Sequence, residues 1–292
     1  MYKLIAIDLD GTLLNSYGEI SEKNKNAIRE AMNMGTEVVL ASGRIIGSIL
    51  NLSQEIGNMN YLIAGNGSNI YDIKNEELIY NKYMDKEKAL KLAKICQENS
   101  MFYSVYTESG IITKSLNHNV LFYHNENVNK TEEKKININV TEDVLKYIEK
   151  SNLANFPKIV VCDHDKEIFQ SIIKKLNQVK HVDVLDVGHM SRKFIENGTE
   201  IVPIEYYYTE ITNENVNKWN ALEFLMEKLN IKAEEVMVIG DNVNDIKMVE
   251  NAGLGVIMGN AAPYIKETAN VVVSDNNSDG VAEAIEGYAL ET

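Results

Sequence analysis

The apolar positions fall into short buried-looking runs that end in polar residues, separated by segments of helical period. "KLIAIDLDGTLLN" (3–15) begins with Leu4, Ile5, Ala6 and Ile7 and then places Asp8 and Asp10 one residue apart. Behind Ser21, which suits a helix N-cap, Ala27, Ile28, Ala31 and Met32 recur on one helical face, and Gly35 ends the segment. "TEVVLASGR" (36–44) predicts a second buried strand ending at Ser42, and Ile45, Ile46, Ile49 and Leu50 a helix closed by Gly57. "YLIAGNGS" (61–68) predicts a third strand, and "NIYDIKNEELIY" (69–80) alternates around a Lys74-Asn75 turn, as a hairpin does. Strand and helix in alternation with short connections predict a parallel, doubly wound sheet.

From Met84 the pattern changes. Residues 85–99 read as a helix, followed by paired strands in "MFYSVYT" and "IITK" around Ser109-Gly110. Two helix–strand alternations come next, "EDVLKYIEK" to "KIVVCD" and "KEIFQSIIKKL" to "HVDVLDV", then two β-rich runs around an Asn197-Gly198 turn. Near Ile211 the first pattern resumes. A helix through Trp219, Leu222, Phe224 and Leu225 leads into "EEVMVIGDNVNDIKMVENAG" (234–253), two short strands and a last helix from Asp279. The expected architecture is α/β: a doubly wound, mainly parallel sheet built from 1–83 and 210–292, with 84–209 inserted as a separate α+β domain.

Composition narrows the function classes. A chain of 292 residues exceeds the size at which one core stops growing, which agrees with two domains. No apolar run approaches the roughly 20 residues that span a bilayer, and the opening run ends in aspartate instead of leading to a cleavage site. The expectation is a cytoplasmic protein that does not engage membranes. A net charge of -14 argues against nucleic acid as the main partner and obliges any anionic substrate to find a local positive site. Cys96 and Cys162 match no metal or redox spacing, and the five histidines include no H-x-x-x-H pair. "GLGVIMG" (253–259) has the wrong spacing for a dinucleotide loop, and the Tyr206-Tyr207-Tyr208 run reads as strand packing.

Several strands of the expected sheet end alike: Ile7 leads to Asp8, Ala41 to Ser42, and Gly240 to Asp241. In open α/β sheets ligands bind beyond the carboxyl ends of the strands. Asp8, Asp10, Ser42, Asp241 and Asp245 are therefore candidates for one crevice. Carboxylates so crowded repel, and a hard divalent cation bound by oxygens, most simply Mg²⁺, resolves the conflict. Singly, Asp241 or Asp245 could equally be a helix cap or a turn former.

"DLDGT" (8–12), "ASGR" (41–44), Lys218 and "GDNVND" (240–245) resemble, in order, the four motifs of the haloacid dehalogenase superfamily, and the tail from Ala252 resembles its Cof-type phosphatase branch. The resemblance implies a Rossmann-like core with an inserted cap that sets specificity. It implies Asp8 as nucleophile and Asp10 as general acid and base. Mg²⁺ would be held by Asp8, by Asp10 through its backbone carbonyl, and by Asp241, with Asp245 in support. Phosphoryl oxygens would be held by Ser42, Lys218, Asn244 and the backbone around Leu9 and Gly43, with Arg44 adding positive potential.

The expected activity is Mg²⁺-dependent hydrolysis of a small phosphorylated metabolite, a sugar phosphate or a phosphorylated cofactor precursor, through an aspartyl-phosphate. The alternatives are a phosphomutase or phosphotransferase using the same intermediate, and a non-catalytic phosphometabolite-binding module. The oligomeric state is not legible.

Overall fold

The computed structural model describes residues 2–128, 130–132, 135–185, 191–197 and 200–290, with backbone alone over 191–197 and 200–204. In chain order, β1 (Leu4–Ile7), α1 (Glu22–Asn33), β2 (Glu37–Ala41), α2 (Ile46–Ile56) and β3 (Tyr61–Ala64) alternate, and β4 (Asn69–Asp72) and β5 (Glu77–Asn81) follow as a hairpin. The inserted stretch contains α3 (Lys86–Glu98), β6 (Phe102–Thr107), β7 (Gly110–Thr113), α4 (His118–Val128), β8 (Ile138–Val140), α5 (Val144–Lys150), β9 (Ile159–Asp163), α6 (Lys166–Leu176), β10 (Val182–Val184), β11 (Ser191–Asn197) and β12 (Glu200–Asn213). The chain then returns through α7 (Lys218–Leu229), β13 (Val236–Gly240), α8 (Ile246–Asn251), β14 (Leu254–Ile257), α9 (Pro263–Lys266), β15 (Val271–Val272) and α10 (Gly280–Ile285).

Two compact units result: Met1–Asn81 with Val216–Thr292, and Lys82–Asn215. The first is built on a sheet of order β15-β14-β13-β1-β2-β3-β4-β5. Its six strands from β15 to β3 are parallel, and β4 and β5 extend it antiparallel. Helices cover both faces. Leu4 and Ala6 point toward α7 and α8, whereas Ile5 and Ile7 point toward α1 and α10. Burial on both faces is why β1, β13 and β14 are continuous apolar runs without alternation.

The expected helix signals act as read. Ser21 caps α1 by accepting the Asn24 amide, and Gly57 closes α2 with φ +81. The free cysteines, Cys96 and Cys162, are both buried, and burial pushes the Cys96 thiol up to about 12.

The second unit is a sheet of order β10-β12-β9-β6-β7-β8, with β11 paired to β12. All pairings are antiparallel except β7 with β8. Three features depart from the sequence reading. Ile211 lies within β12, which continues to Asn213, because it pairs with both β9 and β10. The helix α4 was not expected: "HNVLFYHNENV" mixes aromatic, β-branched and Asn residues and buries only Val120 and Tyr123. The small strand β8 was likewise unforeseen. The Asn197-Gly198 turn lies partly outside the described residues, although β11 and β12 pair as its flanks.

Candidate active site

β13, β1 and β2 are neighbours in one parallel sheet, with Ile7 beside Ile239 on one side and Leu40 on the other. Their carboxyl ends therefore release Asp241, Asp8 and Ser42 side by side. The run of wholly buried residues before Asp8 fixes its place. Leu4, Ile5 and Ile7 each contribute roughly 1.5–3 kcal/mol by leaving water, which offsets the cost of a charge at the strand's end. Asp8 is itself almost fully buried, its amide bonded to the Ile239 carbonyl at 3.0 Å.

Two elements from the distal half of the chain complete the centre. Lys218 is the first residue of α7 behind the N-cap Asn217, and its stem is wholly buried. Its Nζ donates to Asp8 Oδ1 at 2.5 Å and to Asp245 Oδ1 at 2.7 Å. Asp245, at the start of α8, accepts the backbone amides of Asp241 and Asn242 on Oδ2, at 3.0 Å each. One buried carboxylate thus shapes the loop and anchors the lysine.

The carboxylates of Asp8, Asp241 and Asp245 offer oxygens that all lie within 4.8 Å of one another. Burial, with repulsion from Asp245 and Asp10 added and Lys218 opposing, pushes the Asp8 carboxyl from 3.8 up to about 7. Burial, followed by repulsion from Asp8 and Asp245, pushes Asp241 up to about 8. Burial alone would lower the Lys218 ammonium, but Asp245 and Asp8 outweigh it and hold it above its ordinary value. Were all three carboxyl groups ionised, the one ammonium would leave two negative charges in excess. An oxygen-only donor set with that excess fits a hard divalent cation.

Asp10 stands apart from this group. Arg44 donates to it through Nε at 2.8 Å and Nη2 at 2.8 Å, and through Nη1 to Ser48 Oγ at 3.2 Å. Ser42 is buried after β2, and its Oγ accepts the Arg44 amide at 3.2 Å. Asn244 Nδ2 donates to Asn66 Oδ1 at 2.9 Å. Leu9 is buried between the two aspartates, and its carbonyl accepts the Thr12 and Leu14 amides. A side chain at Gly43 would press on the Asn66 amide.

Three participants were missed in the sequence. Asn66 sits in the Gly65-Asn66-Gly67 turn with φ +56, and glycines on either side of an Asn were the available signal. Thr12 Oγ1 donates to Asp241 Oδ1 at 3.1 Å, a contact 229 positions long. Asn260 Nδ2 donates to the Gly11 carbonyl at 2.8 Å and reaches Asp241 Oδ2 at 3.4 Å. Thr12 lies within the quoted "DLDGT" run, but its contact with Asp241 and that of Asn260 with the Gly11 carbonyl join distant parts of the chain, which no local pattern marks.

The profile of the haloacid dehalogenase-like hydrolases matches residues 5–285. Phosphatase YwpJ of Bacillus subtilis is 30% identical over 283 residues, 96% of this chain and 97% of that protein. The 5-amino-6-(5-phospho-D-ribitylamino)uracil phosphatase YcsE of the same organism is 31% identical over 288 residues, 99% of this chain and 96% of that protein. A solved haloacid dehalogenase-like hydrolase from B. subtilis superposes with a TM-score of 0.80 at 27% identity, covering 98% of this chain and 99% of that one. Among the described residues no helix is long and apolar enough to cross a membrane. Because the match runs through both halves of the split sheet and across the insertion, the chain belongs to the haloacid dehalogenase-like hydrolases.

Proposed function

We propose that the protein is a Mg²⁺-dependent phosphatase acting on a small phosphorylated metabolite through an aspartyl-phosphate on Asp8. The observation that carries this reading is the buried Asp8 carboxyl group, held by Lys218 beside two further carboxyl groups whose oxygens lie within 4.8 Å of one another and of its own. Asp8 is the nucleophile: its carboxylate oxygen bonds to phosphorus as the bond to the leaving oxygen breaks. Asp10 gives that oxygen its proton. It then takes a proton from water, which attacks phosphorus, breaks the bond to Asp8 and releases inorganic phosphate. Lys218, Ser42, Asn244 and the amides near Leu9 and Gly43 hold the phosphoryl oxygens as charge develops on them. Asp8, Asp241 and the Asp10 carbonyl, with Asp245 behind them, would hold the Mg²⁺ ion, and when bound it would supply positive charge to the cluster and to the phosphoryl oxygens.

The inserted unit, Lys82–Asn215, is the cap that selects the leaving group. The 31% identity to YcsE, named for a phosphorylated ribitylamino compound, favours a phosphorylated sugar, polyol or cofactor precursor as substrate. The test is phosphate release from a panel of such compounds in the presence of Mg²⁺. The parent should turn over at least one, and Asp8→Asn should release nothing above background. Turnover surviving in Asp8→Asn removes Asp8 as nucleophile.

A further inference from the structure

Arg44 was expected to lend positive charge to the phosphoryl group. Its geometry gives it another task. The guanidinium meets the Asp10 carboxylate edge to edge, Nε on Oδ2 and Nη2 on Oδ1, both at 2.8 Å. The arginine side chain is 8% exposed and that of Asp10 48%, so a built-in group grips one that faces solvent.

Arg44 is itself fixed from several directions. Its Nη1 bonds to Ser48 on α2, its amide to the Ser42 hydroxyl, and its carbonyl accepts the Gly65 amide at 2.9 Å. Two parallel bonds from a planar fork define the plane and direction of a carboxylate, which a single bond or a point charge does not. A group that passes a proton to a leaving oxygen needs that definition, since small misplacements of reacting groups are costly.

We propose that Arg44 is a positioning residue for Asp10, holding its carboxylate in the orientation from which it exchanges protons, and not a ligand of the phosphoryl group. The proposal rests on the reading of Asp10 as acid and base. It separates the two arginine functions by what each would disturb. A phosphoryl ligand acts on binding and acts whether or not Asp10 is present; a positioning residue acts on turnover and only through Asp10.

The experiment is a double-mutant cycle of Arg44→Gln and Asp10→Asn, with Arg44→Lys alongside. 4-Nitrophenyl phosphate and Mg²⁺ give kcat and KM, and inorganic phosphate is the competitive inhibitor. The parent's turnover tests the phosphatase reading by itself, and the cycle tests only the coupling. Arg44→Gln should lower kcat roughly 10- to 100-fold, with KM and the phosphate inhibition constant unchanged within about twofold. The unchanged inhibition constant also reports a folded site. Arg44→Lys should not restore kcat, because an ammonium cannot make the fork. In the Asp10→Asn background Arg44→Gln should cost nothing further. A tenfold rise in KM and in the phosphate inhibition constant, rescue by lysine, or multiplicative losses in the double variant would overturn the proposal.

Discussion

Lys218 and Asp245 lie 27 positions apart and meet in a 2.7 Å ion pair in which neither side chain reaches solvent. The same ammonium bonds Asp8, which lies 210 positions away. A buried cation shared between two carboxylates is costly to create and more costly to break, because removing it strands charges that have no water. Lys218 thus adds a buried ionic link between the two parts of the split sheet to the β1–β13 pairing and the Thr12–Asp241 bond.

Replacing that side chain tests the coupling. Lys218→Met keeps the apolar stem and removes the charge. Without metal, above about pH 8 where Asp8 and Asp241 are ionised, the variant should lose roughly 3–5 kcal/mol of stability. Urea unfolding in EDTA and in Mg²⁺ measures it, and the deficit should shrink with Mg²⁺. Equal stability of variant and parent in EDTA would show that the lysine is not the counter-charge.

Proton linkage gives a second prediction, with a definite sign. Asp8 and Asp241 titrate near 3.8 in the unfolded chain but hold protons up to about 7 and about 8 in the folded one. Between those limits the folded state binds more protons, so their contribution to stability is fullest below 3.8 and falls as pH rises. A divalent cation competes for the same oxygens and should flatten the fall. The stability difference between parent and Asp241→Asn, measured from about pH 5 to pH 8.5, should therefore move against the parent in EDTA and not in Mg²⁺. A parent that gains on the variant with rising pH in EDTA would contradict this.

Such a centre was legible in the sequence as far as strand ends reveal it. Asp8, Ser42 and Asp241 follow apolar runs, and alternation with helices predicts parallel strands whose carboxyl ends share one edge, but the order β13-β1-β2 that makes them neighbours comes from the fold. Lys218 was legible only by resemblance, because nothing around it distinguishes a buried lysine from a solvated one. Thr12 and Asn260 were not legible, since their function is a contact with Asp241 set by the folded register. Arg44 was read from the sequence as positive potential for the phosphoryl group, and only coordinates show its guanidinium turned to Asp10. In the inserted unit, α4 escaped because it is held by a few packed side chains and not by an apolar stripe.

Glycines near the centre supply a third test. Gly67 has φ +94, and a methyl group there would fall on the Asn217 carbonyl and the Lys218 amide. Gly18 has φ +79, with nothing within 4 Å of where a methyl would stand. Gly67→Ala and Gly18→Ala should both cost about 1–3 kcal/mol from backbone strain. Only Gly67→Ala should also displace Lys218 and lower turnover, by roughly tenfold or more. Equal turnover in the two variants would disconnect the turn after β3 from the lysine.

Asn260 gives the last test, because it stands behind the carboxylates without being one. Its amide donates to the Gly11 carbonyl and to Asp241, and its Oδ1 accepts the Asn276 amide at 3.1 Å. Asn276 in turn donates to the Leu14 carbonyl at 2.8 Å, so this pair of asparagines pins the loop after β1 to the end of β14. A partner that orients a metal-binding carboxylate acts on metal affinity before it acts on chemistry, typically by about 10- to 100-fold. Asn260→Ala should accordingly raise the Mg²⁺ concentration for half-maximal turnover by that factor, with kcat at saturating Mg²⁺ within about threefold of the parent. Titration of turnover against Mg²⁺ separates the two quantities. A loss of kcat that saturating metal does not recover would mean that Asn260 works through the loop carrying Asp8 and Asp10, and not through Asp241.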